Sequence, residues 1–328
     1  MTRKDSTIIA LTAVGVILAF VGLIAAGGPG AWRYYLAGGI CAASSHAITT
    51  PIDVVKTRQQ VDSTYKERGM VASTLKLVKD EGFQTLLAGL GPTVFGYLLE
   101  GAVKFGVYEV LKPAVGRFLS WAAAASSISF LSSRYLGYII CGLFSGVAAS
   151  AMLCPMEALR IRLVAEPKLA RKGWIHGGLK MFKNEGSRGL WKGLNAMMCK
   201  QVPYTVTKNV SFDFLTTVAY ATTVNLGYAI TAKTKFAIPF LCAVAASVLS
   251  CISSQPGDML LSVVNAHEGE KRVRDFSKEI TKKEGVKGFF VGIQARFLHV
   301  GIIVTVQLLL YDFVKRLCGI AATGLASG

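Results

Sequence analysis

The chain has 328 residues, 52% of them hydrophobic, with a mean hydropathy of +0.47 and a formal charge of +17. So apolar a composition excludes an ordinary soluble domain, and apolar stretches each followed by a basic segment point to a polytopic membrane protein. The bases sit in short loops, such as Lys66-Glu67-Arg68 and Lys271-Arg272-Val273-Arg274, rather than beside stacking aromatics. That pattern argues against nucleic acid as a partner and suits anionic lipid and a small anion.

Residues 6–32 carry no charge, and 7–26 are uniformly apolar or small. As a helix that run is about 30 Å long, enough to cross a bilayer core. Flanking basic and small residues also fit a cleaved targeting segment. The run is longer than a secretory apolar region and lacks the Arg-rich amphipathic pattern of a mitochondrial presequence, so we read residues 1–30 as a retained transmembrane extension.

Three tandem units follow, expected at 31–120, 121–225 and 226–320, with a short tail at 321–328. Each ends an apolar run with a proline and an acid two places on: Pro51-x-Asp53, Pro155-x-Glu157 and Pro256-x-Asp258. A base comes three residues after the acid in the first two copies, Lys56 and Arg160, but position 261 is Leu261. Glu81-Gly82, Glu185-Gly186 and Glu284-Gly285 form a second landmark, and Gly89, Gly193 and Gly292 lie eight residues after each glutamate. A third closes each unit: Tyr108-Glu109-x-x-Lys112, Phe212-Asp213-x-x-Thr216 and Tyr311-Asp312-x-x-Lys315. Three landmarks in three copies mark a triplicated module, and such repetition has to be settled before any other fold argument.

Within the first unit, Trp32 to Tyr35 suit a membrane interface. Residues 36–50 form a helix rich in Gly, Ala and Ser, which allow close helix approach in lipid. Pro51 is expected to kink it, with Asp53, Lys56 and Arg58 on the continuation. A short amphipathic surface helix over 71–79 and a second spanning helix over 92–111 complete the unit. The later units copy this plan over 135–162, 176–183 and 194–219, then over 236–263, 274–281 and 294–317; Gly142 and Gly146 mark a close-packing face. The seven cysteines contain no Cys-x-x-Cys pair and the four histidines no ligand cluster, so they read as packing residues and not as a metal centre. No Gly-rich phosphate loop or nucleophile–base signature suggests an enzyme or a cofactor.

These landmarks resemble the mitochondrial carrier family over about residues 31–317. Within it the chain is similar to the phosphate carriers, through Pro92-Thr-Val-Phe-Gly-Tyr97, Gly101-Ala-Val-Lys104-Phe-Gly-Val-Tyr108-Glu109, Lys200-Gln-Val-Pro-Tyr204 with Lys208, and Gln255-Pro-Gly-Asp258 to Asn265. The resemblance implies an all-α membrane protein: a pseudo-threefold barrel of six transmembrane helices with surface helices on the matrix side, to which the N-terminal helix is an addition. It implies the mitochondrial inner membrane, and bound cardiolipin at Trp191-Lys192-Gly193.

The resemblance also assigns roles. A matrix gate would use Asp53, Lys56, Glu157, Arg160 and Asp258, pairing Asp53 with Arg160 and Asp258 with Lys56 and leaving a gap where Glu157 meets Leu261. A cytoplasmic gate would use Tyr108, Glu109, Lys112, Asp213, Tyr311, Asp312 and Lys315, interrupted by Thr216. Between them, His46, Glu100, Lys104, Lys200, Tyr204, Lys208, Arg296 and Gln307 would bind an anion. Cations at membrane depth are functional by default, and several facing one cavity would hold phosphate by charge-assisted hydrogen bonds.

The chain also departs from the phosphate carriers. Third-helix acids give way to Gly146 and Ser150, a second-helix glutamine to Glu100, and sixth-helix threonines to Ile302 and Val304. Glu100 stands four residues before Lys104, so either the two pair and silence a binding charge, or a desolvated Glu100 handles a coupled proton. Two functions follow: phosphate–proton symport by alternating access, or a transport-impaired structural subunit docked to a larger respiratory-type complex through the N-terminal helix.

Overall fold

The computed structural model describes residues 32–66, 69–126, 134–267 and 273–317. The expected N-terminal span and the tail lie outside the described residues. The described chain is helical, without strands: α1 (Trp32–Val61), α2 (Ser63–Lys66), α3 (Met70–Glu81), α4 (Leu90–Ser126), α5 (Arg134–Ala165), α6 (Pro167–Ala170), α7 (Trp174–Trp191), α8 (Leu194–Asn225), α9 (Ala232–Ala266), α10 (Val273–Glu284) and α11 (Ile293–Leu317). Short 3₁₀ turns, Phe83–Leu87 and Gly285–Phe290, lead into α4 and towards α11.

Six long helices form a closed ring. α1 packs on α4, α4 on α5, α5 on α8, α8 on α9, α9 on α11, and α11 returns to α1. Helical segments within 83–125, 134–165, 233–266 and 273–307 are apolar and long enough to cross a membrane by composition. The other two ring helices, α1 and α8, have 30 and 32 residues, about 45 Å and 48 Å of helix. They carry more polar side chains, His46, Asp53 and Lys56 on α1 and Lys200, Gln201 and Lys208 on α8, because these look into the ring rather than outward. Outward faces carry exposed Phe144, Phe236 and Leu241.

Small residues set the helix spacing, as packing in lipid requires. A Cβ on Gly101 would sit 2.7 Å from the Gly38 carbonyl oxygen, and one on Gly39 the same distance from that of Leu98, so α1 and α4 approach backbone to backbone. Gly142 and Gly146 face Val206 and Val202 of α8 in the same way.

The Glu-Gly landmark has a backbone and an electrostatic cause. Gly82, Gly186 and Gly285 adopt φ of 90°, 66° and 63°, where a side chain is disfavoured, and there each surface helix ends or breaks. The glutamates reach back to the charged motif: Arg58 donates to Glu81 at 2.8 Å, and Arg162 lies 2.8 Å from Glu185. These pairs tie α3 to the end of α1 and α7 to the end of α5. At the third copy the second base is replaced by Val263.

Candidate functional site

The ring encloses a cavity of about 330 Å³, lined by all eight candidate binding residues together with Asp53, Lys56, Tyr97, Tyr108, Gln201, Asp258 and His299. The units contribute by position. Fifteen residues after Gly89, Gly193 and Gly292 stand Lys104, Lys208 and Gln307; seven after them stand Gly96, Lys200 and His299. Counting Lys, Arg, Asp and Glu at formal charge, the lining carries five bases against three acids. The excess is two positive charges.

Glu100 stands in contact with its neighbour one turn along α4. Lys104 donates to Glu100 at 3.1 Å, and Gln201 donates to the same carboxylate oxygen at 3.3 Å while accepting from Lys104 at 3.4 Å. Tyr204 lies under two cations, its ring centroid 5.3 Å from Lys104 Nζ and 5.8 Å from Lys208 Nζ. Arg296 donates to Gln255 at 3.0 Å and Ser254 at 2.6 Å, and stands 3.8 Å from Asp258. Gln307 donates to Ser45 at 3.2 Å across the α11–α1 seam. His46 stacks on Tyr97 and meets His299 edge-on at 5.9 Å.

Below the cavity the proline-motif charges form a nearly dry floor: Asp53, Lys56, Glu157, Arg160 and Asp258 are all at most 4% exposed. Buried charges are tolerable only when paired, and here each is. Arg160 binds Asp53 of the first unit and, on its own helix, donates to both oxygens of Glu157 at 2.8 and 2.9 Å. Lys56 lies 2.9 Å from Asp258 and 3.0 Å from Asp53. The gap expected at Glu157 is absent, because Lys200 reaches it at 3.1 Å. Leu261, at the vacant base position, is instead packed with Ala196 and Met197.

At the opposite mouth the expected partners are less gathered. Asp213 is held within its own unit, by Arg134 at 3.1 Å and by Tyr138, which donates at 3.3 Å. Lys112 is exposed, Tyr108 borders the cavity, and the side chains of Glu109, Tyr311, Asp312 and Lys315 lie outside the described residues. At the corner expected to bind lipid, Lys192 donates to the His267 carbonyl at 2.7 Å, where Arg162 also donates at 3.2 Å, capping the end of α9. Trp191 is exposed, and Gly193 fits beneath Leu261 and Asn265, which a Cβ there would crowd.

Sequence reasoning missed His299, which shares a 3.0 Å hydrogen bond with Thr49 and lies 3.7 Å from Asp53. Counting from Gly292 to the equivalent of Lys200 would have found it. It also missed Gln60, which donates to Asp258 at 3.2 Å and accepts from Ser262 at 2.6 Å. No spacing signal marked that residue.

A closed ring of six helices in three repeats, enclosing a charged cavity over a paired ionic floor, defines a membrane carrier. The chain belongs to the mitochondrial carrier family: the family model described as mitochondrial carrier protein matches residues 28–118, 132–221 and 232–320. It is 34% identical over 301 residues to mitochondrial substrate carrier family protein N of Dictyostelium discoideum, covering 88% of this chain and 95% of that protein. It is 30% identical to the probable mitochondrial phosphate carrier protein of Schizosaccharomyces pombe, covering 89% and 93% of the two chains. Solute carrier family 25 member 3 of Homo sapiens is also 30% identical, over 85% of this chain and 74% of that one.

Proposed function

We propose that this carrier moves inorganic phosphate across the mitochondrial inner membrane, by alternating access between the paired floor on the matrix side and a second gate at the opposite mouth. The observation that carries the reading is the cavity's excess of two bases over acids, contributed by all three repeats at helix positions that look inward. That excess matches the charge of a hydrogen phosphate dianion, and Lys208, Lys200 and Arg296 supply the charge-assisted donors it needs. Relatives named as phosphate carriers, at about 30% identity, support the same cargo.

In this reading Glu100 serves as an internal counter-ion for Lys104, and proton coupling would rest on the cavity's carboxyl and imidazole groups, Glu100, His46 and His299. Asp213, with Tyr108, Glu109, Lys112, Tyr311, Asp312 and Lys315, would belong to the cytoplasmic gate, and cardiolipin would bind at Trp191-Lys192-Gly193, where a lipid phosphate meets the start of α8.

The test is uptake of labelled phosphate by liposomes holding the purified protein, with and without an inward proton gradient. Saturable uptake that the gradient stimulates is expected. No uptake, together with co-purification in fixed stoichiometry with a respiratory assembly, would replace the carrier reading with a structural one.

A further inference from the structure

Three seams join the repeats at the level of the floor, and they are not bridged alike. Two use bases of the repeated motif: Arg160 to Asp53 between the first and second repeats, and Lys56 to Asp258, at 2.9 Å, between the third and first. At the remaining seam the motif base is Leu261, 1% exposed and committed to the apolar core. There the cation comes from a different helix. Lys200, on α8, places Nζ 3.1 Å from Glu157 of the second repeat and 3.0 Å from Asp258 of the third.

We propose that Lys200 is the substitute third base of this gate, and that an anion entering the cavity opens it by drawing Lys200 away from Glu157 and Asp258. The idea rests on the reading of the chain as an anion carrier and adds the step that links cargo to gate. Three observations carry it. Lys200 is the floor cation that reaches highest: its side chain is 13% exposed, against 3% for Lys56 and Arg160 and 4% for Arg296, and it lines the cavity beside Tyr204. Its withdrawal strands no charge, because Glu157 keeps Arg160 and Asp258 keeps Lys56; only the link between repeats is lost. No twin replaces it, since the equivalent first-repeat position is Gly96, and His299 in the third turns to Thr49 and Asp53. A ligand shifts a conformational equilibrium only through contacts that differ between the states. A single cation shared by cargo and gate supplies that difference.

The test labels a cysteine placed beneath the floor, Ser262→Cys, with a maleimide in the purified full-length protein, site by site by mass spectrometry. In the otherwise natural chain, labelling is expected to be slow and to rise several-fold with phosphate. Adding Lys200→Met should make it fast and phosphate-independent. Adding both Lys200→Met and Leu261→Lys, which returns a base to the motif but away from the cavity, should make it slow again and unresponsive. The unfolding temperature should drop with Lys200→Met and recover with Leu261→Lys, which separates loss of a bridge from failure to fold. Slow, phosphate-responsive labelling in the Lys200→Met protein would overturn the proposal, as would a double variant that stays fast. If phosphate changes nothing in any protein while the fast-then-slow pattern holds, Lys200 stands as the gate's base and phosphate falls as the cargo. If liposomes take up phosphate but the pattern is absent, the transport reading stands and this inference falls.

Discussion

His46 lies flat against Tyr97, their ring centroids 3.4 Å apart and their planes at 7°. The stack joins α1 to α4 about two turns above the floor and, through the edge contact with His299, extends to α11. It places two imidazoles, from the first and last helices of the ring, on the wall of the same cavity.

Tyr97 is 5% exposed, so truncating it opens a hole as well as ending the stack. Tyr97→Ala is expected to cost about 3 kcal/mol, whereas Tyr97→Phe, which keeps ring and stack, should cost less than about 1 kcal/mol. Thermal unfolding of the two purified variants checks this. Equal losses would mean that the hydroxyl, not the ring, holds the contact.

Breaking one partner of the floor is a different matter from removing both. Asp53→Asn leaves Arg160 facing an amide in a nearly dry site and should cost about 3–5 kcal/mol. Arg160→Gln leaves Asp53 to Lys56 and Glu157 to Lys200, removing three bonds at once, and should cost a comparable amount. Because the groups share one network, the double variant should lose clearly less than the sum of the two. Additive losses in unfolding temperature would show that they act separately.

Arg58 and Glu81 are 6% and 19% exposed at the side chain and bind α3 to the end of α1. Arg58→Ala should cost about 1.5–3 kcal/mol, the range for hydrogen bonds to charged groups. The exchange Arg58→Glu with Glu81→Arg should recover part of that, which Arg58→Glu alone would not. Unfolding temperatures of the three proteins decide it.

Glu100 holds Lys104 at 3.1 Å, so a carboxylate already occupies ground an anionic cargo would want. Glu100→Gln frees the ammonium and should lower the phosphate concentration for half-maximal uptake roughly tenfold, equivalent to about 1.4 kcal/mol. If proton coupling runs through Glu100, the same variant loses its response to a pH gradient. Unchanged uptake in both respects would show that the pair never meets the cargo.

Much of this architecture is legible in the sequence because it is written three times. Pro51, Pro155 and Pro256 with the acids beyond them mark three helices, and copies at near-constant spacing rule out coincidence. What escaped was what is written once. His299 shares its place in the repeat with Lys200, but the first copy is Gly96, so residue identity shows no pattern. Gln60, Gln201 and Gln255 have no charge and no characteristic spacing, yet each completes the hydrogen bonding of a buried ion. The glutamates of Glu81-Gly82 and Glu185-Gly186 were visible as landmarks but not as ion-pair partners, because their arginines lie on other helices. Lys200 itself was visible as a cavity cation; its reach to Glu157 depends on how α8 tilts across α5, which no spacing encodes.

The seam between α11 and α1, where Gln307 meets Ser45 and Val314 packs with Ala37 and Cys41, joins the two ends of the described chain. It bears on biogenesis. Lys56 is made some two hundred residues before Asp258, its partner across the ring. The charges of the first repeat therefore stay without their full set of partners until the third repeat closes against them. Those side chains have to be sheltered from hydrocarbon until α9 is in place, and a ring that failed to close would be a half-open shell with bare charges along its inner wall.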